Sequence, residues 1–142
     1  MKTRNLTISD HDLIVALWQK AGLSYRPEGR DRKDAIQAQM EENPDFFMGA
    51  FEGNRLVGAV IASNDGRRGW INRLAVDPDF RRQGVASALI NEAEKVLRTH
   101  GMRIFCALIE EGNTGSMQLF RKCGYKELRD IVYFSKRDSG QV

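Results

Sequence analysis

Arg81-Arg82-Gln83-Gly84-Val85-Ala86 lies between an apolar, strand-like run and an amphipathic helical pattern. It predicts a tight turn that delivers the chain into a helix start. The first N–H groups of a helix have no partner within it and sit at the positive end of its dipole. Such a junction suits an anion, a phosphate above all. Gly84 lets the backbone approach that anion closely, and the small Ala86 permits the same crowding. Nothing acidic lies between Asp79 and Glu92. Two other glycine loops are excluded. A dinucleotide fingerprint needs Gly-x-Gly-x-x-Gly after an early strand, and a triphosphate loop ends in Gly-Lys-Ser or Gly-Lys-Thr. The segment has one glycine, and no such ending occurs in the chain.

The elements that must position this junction follow from periodicity. Residues 4–8 predict a short strand. Ser9 with Asp12 forms a capping-box pattern, and Leu13, Ile14, Leu17 and Trp18 give a helical face that Gly22 stops. Trp18 reads as core. Residues 23–31 read as a loop, and 31–42 as a second helix with Ile36 and Met40 inward, ending before Pro44. Strands at 46–51, 56–62 and 70–76 form a meander, turned at Glu52-Gly53-Asn54 and Asn64-Asp65-Gly66. A helix runs from near Gly84 to about His100, with Val85, Leu89, Ala93 and Val96 on one ridge and Ala86, Ile90 and Leu97 beside it. Gly101 ends it. The next strand, 104–109, must lie parallel to 70–76, because a helix crosses between them. A helix at 114–122 with Met117 and Phe120 inward, then strands at 125–128 and 130–135, complete the order β-α-α-β-β-β-α-β-α-β-β. This is one layered α/β domain over 1–142, with a frayed tail at 136–142.

The chain has 142 residues, enough for one core and too few for two. A net charge of +3 permits an anionic ligand without demanding nucleic acid. Arg67, Arg68, Arg73, Arg81 and Arg82 form a local basic cluster, and the aromatic interleaving on one sheet face that nucleic-acid binding uses is not evident. Cys106 and Cys123 lack ligand spacing, and His11 and His100 stand alone, so no metal site is expected. No signal-peptide core or membrane-length apolar run occurs, and a cytoplasmic setting is expected. The sequence leaves a homodimer open.

The pattern resembles the GCN5-related N-acetyltransferase (GNAT) superfamily, in particular its small bacterial members. Leu74-Ala75-Val76-Asp77-Pro78 matches the family's central strand and its exit. The hexapeptide at 81–86 matches the acetyl-CoA pyrophosphate loop. Asn113 matches an asparagine often found at the cofactor, and Leu119-Phe120-Arg121-Lys122-Cys123-Gly124-Tyr125 matches the closing helix and turn. The resemblance implies an acyl-CoA N-acyltransferase fold, a mixed and mostly antiparallel sheet flanked by helices, in which a bulge splays the central strand from its neighbour. It implies that the amides of Gln83, Gly84, Val85 and Ala86 cradle the pyrophosphate, with Arg81 or Arg82 meeting a phosphate. Main-chain groups of Leu74 and Val76 face the pantetheine arm, Asn113 contacts that arm or positions water, and Phe120 borders the cofactor.

The implied reaction is direct attack of a neutral primary amine, on a small molecule or a peptide N-terminus, at the thioester of acetyl-CoA. An amide near Val76 would polarise the carbonyl. Glu110 and Glu111 are the candidate bases. The acceptor pocket is expected from the loop at 22–32 and the strand ends, with Tyr25, Arg26, Trp70 and Tyr133 as contacts. Phe120 stands where many members carry a tyrosine that protonates the departing thiolate. Tyr125 and Tyr133 are weak substitutes for it. The substitution keeps a rival open, a non-catalytic acyl-CoA-binding domain.

Overall fold

A computed structural model describes all 142 residues. The strands are β1 (Lys2–Asn5), β2 (Phe47–Glu52), β3 (Arg55–Asn64), β4 (Gly69–Val76) and β5 (Phe105–Cys106). The helices are α1 (His11–Lys20), α2 (Lys33–Glu42), α3 (Val85–Thr99) and α4 (Thr114–Lys122). Single 3-10 turns at Ile8–Asp10 and Pro78–Phe80 lead into α1 and out of β4. The sheet runs β1-β2-β3-β4-β5, antiparallel up to β4 and parallel between β4 and β5.

The helices form where the apolar spacing places them. Val85, Leu89, Ile90, Ala93 and Leu97 are the buried stripe of α3, Ile14, Leu17 and Trp18 that of α1, and Ile36 and Met40 that of α2. Two glycines let α3 lie close on the sheet. A Cβ at Gly58 would come 2.6 Å from Val85 Cγ1, and one at Gly69 would come 2.7 Å from Leu97 Cδ1. β3 is buried without interruption from Leu56 to Val60, as a central strand with helices over both faces must be.

The expected fold class stands, and several elements differ in extent. The start of α1 is organised by Asp10, whose carboxylate accepts the Thr7 amide at 2.9 Å and a forked pair of bonds from Arg4, and not by Ser9 with Asp12. The strand expected at 104–109 contracts to Phe105–Cys106. The strands expected at 125–128 and 130–135 do not form; Leu128, Ile131, Val132, Tyr133 and Phe134 are exposed, Phe134 by 89%. A strand there needs a long, straight β5 as its template. β5 offers two residues, and in the preceding segment Arg129 pairs with Glu127 and Glu111. At the chain end, Gln141 lies against Gly29 in the loop between α1 and α2.

Candidate active site

The site is built on an irregularity in β4. Ala75 pairs with Ala59, but Asn72 pairs with Ile61, so β4 carries one extra residue across from β3. The bulge places Arg73 at φ 53, a left-handed conformation that costs a non-glycine residue about 1–2 kcal/mol. Contacts of its side chain offset that cost. Nη2 donates to the Ser24 carbonyl at 2.6 Å, and the guanidinium stacks 4.2 Å from the centre of the Trp18 ring. Burial pulls the Arg73 pKa down.

Beyond the bulge β4 and β5 separate. They pair only at Gly69–Phe105 and Trp70–Cys106. The Asp77 amide donates to Val57 of β3 at 2.8 Å. Main-chain direction alternates along a strand, so Ala75 also faces β3, while Leu74 and Val76 turn their N–H and C=O groups toward the gap that β5 has left. The family-implied splay and the free main-chain edge are therefore both present.

The exit from β4 is anchored by Asp77. Its buried carboxylate accepts from the Asp79 amide at 2.9 Å, Lys20 Nζ at 3.0 Å and Arg55 Nη2 at 2.7 Å. Burial pushes this carboxyl up, but the amide and the two cations outweigh it and hold its pKa at about 2. Arg55 also stacks on Phe80, 4.9 Å from its ring centre, which fixes the turn. The chain then passes through Arg82 at φ 63 and Gly84 at φ 81 into α3.

No protein group accepts from the backbone amides of Arg81 through Ser87. The reason is local. A helix start is ordinarily closed by a side-chain oxygen. In α4 the Asn113 carboxamide does this, accepting from Ser116 N at 3.2 Å. In α3 the cap is Gly84, which has no side chain, and the first turn carries no acid. A Cβ built at Gly84 meets nothing within 4 Å, so the space in front of the amides is open. What demands glycine here is the positive φ.

The remaining expected residues are distributed as follows. Arg81, Arg82 and Gln83 are exposed around the open amides. Asn113 has one atom committed to capping α4. Glu110 and Glu111 occupy an exposed turn before α4, and Glu111 reaches Arg129 at 3.4 Å. Phe120 is buried, edge-on to Tyr125 with ring centres 5.0 Å apart. The Tyr125 hydroxyl donates to Glu94 of α3 at 2.7 Å, and burial, reinforced by Glu94, pushes its pKa far up. Tyr125 is thus a packing and bracing residue. Tyr25 sits beside Trp18, with ring centres 6.4 Å apart, and the Arg26 amide donates to Asp31 at 2.7 Å. Trp70 is half-buried at the paired end of β4, whereas Tyr133 is exposed outside any strand. The sequence showed Arg73 only as one member of a basic cluster and Asp77 only within the strand-exit motif, and gave neither a role of its own. The one signal for Arg73 was a charge inside an otherwise uncharged strand, Trp70 to Val76.

Comparison with known proteins agrees with this geometry. The model of the "Acetyltransferase (GNAT) family" matches residues 12–125. An acetyltransferase of Pectobacterium atrosepticum is 31% identical over 96% of this chain and 95% of its own length. One from Yersinia enterocolitica is 32% identical over the same shares. Among solved structures, PaiA N-acetyltransferase from Thermoplasma acidophilum, in complex with coenzyme A, superposes with a TM-score of 0.75 at 19% identity, over 88% of this chain and 89% of that one. AAC(6')-Iy, bound to a bisubstrate analogue that joins CoA to an acetylneamine, superposes with a TM-score of 0.77 at 19% identity, over 96% and 97%. At those identities the two structures establish the shared fold.

Proposed function

The chain belongs to the GNAT acetyltransferase family, and from that premise we propose that it moves the acetyl group of acetyl-CoA to a primary amine by direct attack of the amine. One observation carries the reading. The open amides from Arg81 to Ser87 and the unpaired β4 edge at Leu74 and Val76 meet at the same strand end. A diphosphate suits consecutive N–H groups at a helix start, and an amide-bearing arm suits a free strand edge. In this reading the amides of Gln83, Gly84, Val85 and Ala86 hold the diphosphate, and Arg81 or Arg82 adds positive charge. The main chain at Leu74 and Val76 orients the pantetheine arm. Two structural neighbours whose names mention CoA support the assignment of the donor.

Acetyl-CoA supplies an acetyl group activated as a thioester. The Val76 N–H is the group assigned to steady negative charge developing on the carbonyl oxygen. The amine must arrive neutral. At pH 7 that costs a lysine-like amine of pKa about 10.4 roughly 4.6 kcal/mol, and an α-amine near pKa 8 only about 1.4 kcal/mol. Glu110 or Glu111 is assigned to take the proton, directly or through water. Phe120 has no hydroxyl and that of Tyr125 is committed to Glu94. Neither position therefore offers a phenol for the sulfur, and with a thiol pKa of about 8.5 none is required near neutrality.

The test is thiol release from acetyl-CoA across a panel of small amines and peptides. Release that requires an amine, and falls at least about tenfold in Gly84→Val, supports the reading. Binding of acetyl-CoA with no thiol released by any amine replaces it with the acyl-CoA-binding domain that Phe120 and the committed Tyr125 would suit.

A further inference from the structure

Resting on the acetyltransferase reading, we propose that the acceptor carries a carboxylate near its amine and that Arg30 and Arg73 receive it. The loop between α1 and α2 folds onto the β4 bulge, where the two guanidinium groups converge on one residue. Arg73 Nη2 donates to the Ser24 carbonyl at 2.6 Å, and Arg30 Nη2 to the Ser24 hydroxyl at 3.3 Å. One side-chain carboxylate approaches Arg73, and none pairs with Arg30. Asp31 Oδ2 is 4.0 Å from Arg73 Nη2, and that oxygen already accepts the Arg26 amide at 2.7 Å. Val142 also lies near this loop, and its main-chain oxygen accepts from Arg137 at 2.9 Å.

Donors outnumber acceptors here. Arg73 is only 17% exposed, and its buried Nε has no acceptor. Beneath its guanidinium lies Trp18, 1% exposed, whose indole Nε1 also has none. Burial lowers the Arg73 pKa; Asp31 opposes the shift and Arg30 adds to it. Arg30 and Ser24 are exposed and Arg73 is largely buried, so the pair forms the open mouth of a donor-rich spot, where an anion relieves the repulsion between two like charges. A guanidinium fork matches a planar, two-oxygen anion.

Position decides what that anion belongs to. Arg73 and Val76 are three residues apart on β4 with the bulge between them, so their main-chain separation is at most about 10 Å. A molecule the size of an amino acid or dipeptide spans that distance, with its carboxylate at the arginines and its amine at the proposed thioester position.

The test compares acceptors on one skeleton: an amino acid, its carboxamide, and the corresponding aminoalkylphosphonate. kcat/KM is expressed per neutral amine for the wild type, Arg30→Gln and Lys95→Gln, the last a control on the far end of α3. The expected result is a preference of about tenfold or more for the carboxylate over the carboxamide, carried by KM. Arg30→Gln collapses this ratio to within about threefold, and Lys95→Gln keeps it. Equal use of carboxylate and carboxamide by the wild type overturns the inference while leaving acetyl transfer standing. A preference for the phosphonate overturns the carboxylate assignment. If no acceptor releases thiol, calorimetric titration of the CoA-loaded protein with an N-acetylamino acid and its amide decides. Binding that favours the acid and is lost in Arg30→Gln upholds the subsite although the transfer reading has failed. Absence of that preference overturns it.

Discussion

Gly84→Ala separates a backbone requirement from a ligand requirement. Gly84 has φ 81, and its Cβ position is free of neighbours. Alanine there meets no steric obstacle from the fold and pays only the left-handed backbone penalty, about 1–2 kcal/mol. Gly101, just beyond α3, has φ 88 and equally open space. Gly101→Ala therefore carries the same penalty at a position remote from the open amides. Both variants should lower unfolding free energy by about 1–2 kcal/mol, some 3–8 °C in Tm for a domain this size. Their CoA affinities should diverge. A shift of Gly84 toward ordinary φ turns aside its own N–H and that of Val85, and each hydrogen bond to a charged group is worth about 1.5–3 kcal/mol. Gly84→Ala should weaken CoA binding by about tenfold to a hundredfold, while Gly101→Ala should leave it within about twofold. Denaturant unfolding and isothermal calorimetry on the two variants decide. Equal stability losses with equal CoA affinities would refute the claim that the turn at Gly84 organises the anion site.

Three further outcomes follow from the geometry. Asp77 has a folded pKa of about 2 against 3.8 for the free carboxyl, so its contribution is complete above about pH 4 and lost as pH falls through 2. Allowing for half-exposed partners that contribution is about 1–2 kcal/mol, and Asp77→Asn should flatten the pH dependence of unfolding between 4 and 2; an unchanged slope sinks the assignment. At Arg73, whose φ is 53, glycine should be tolerated better than alanine by about 1 kcal/mol, the reverse of their order in a regular strand; urea titration of the two variants checks it, and the ordinary order would mean that the bulge does not persist. Tyr125→Phe should cost about 1 kcal/mol of stability from the lost bond to Glu94, with kcat within about twofold of the wild type; a drop in kcat of tenfold or more would return the phenol to the chemistry.

The parts of this fold that were legible from the sequence are those with local causes. The stripe Val85, Leu89, Ile90, Ala93, Leu97 reports a helix by its own spacing, and Glu52-Gly53-Asn54 reports the β2–β3 turn by its residue types. The bareness of the α3 start follows from glycine standing where a capping oxygen would otherwise be. Trp18 was legible as core from its helical face. What was not legible depends on partners distant in the chain. The conformation of Arg73 is sustained by Ser24 and Trp18 across the α1–α2 loop, and no pattern within β4 announces it. The shortness of β5 and the absence of the two closing strands go with that bulged edge of the sheet. The apolar run Ile131-Val132-Tyr133-Phe134 describes a capacity to pair, and pairing also needs a template. Likewise Tyr125 reads as a spare hydroxyl until Glu94, a full helix earlier, is seen to hold it.

The proposed CoA site consists first of the main-chain N–H groups between Arg81 and Ser87, and amide-resolved NMR during a CoA titration observes them one by one. Those resonances, with Leu74 and Val76, should move first and furthest, and their exchange with solvent should slow as CoA is added. Unmoved signals across 81–87 at millimolar CoA, or shifts concentrated on another face, would contradict it.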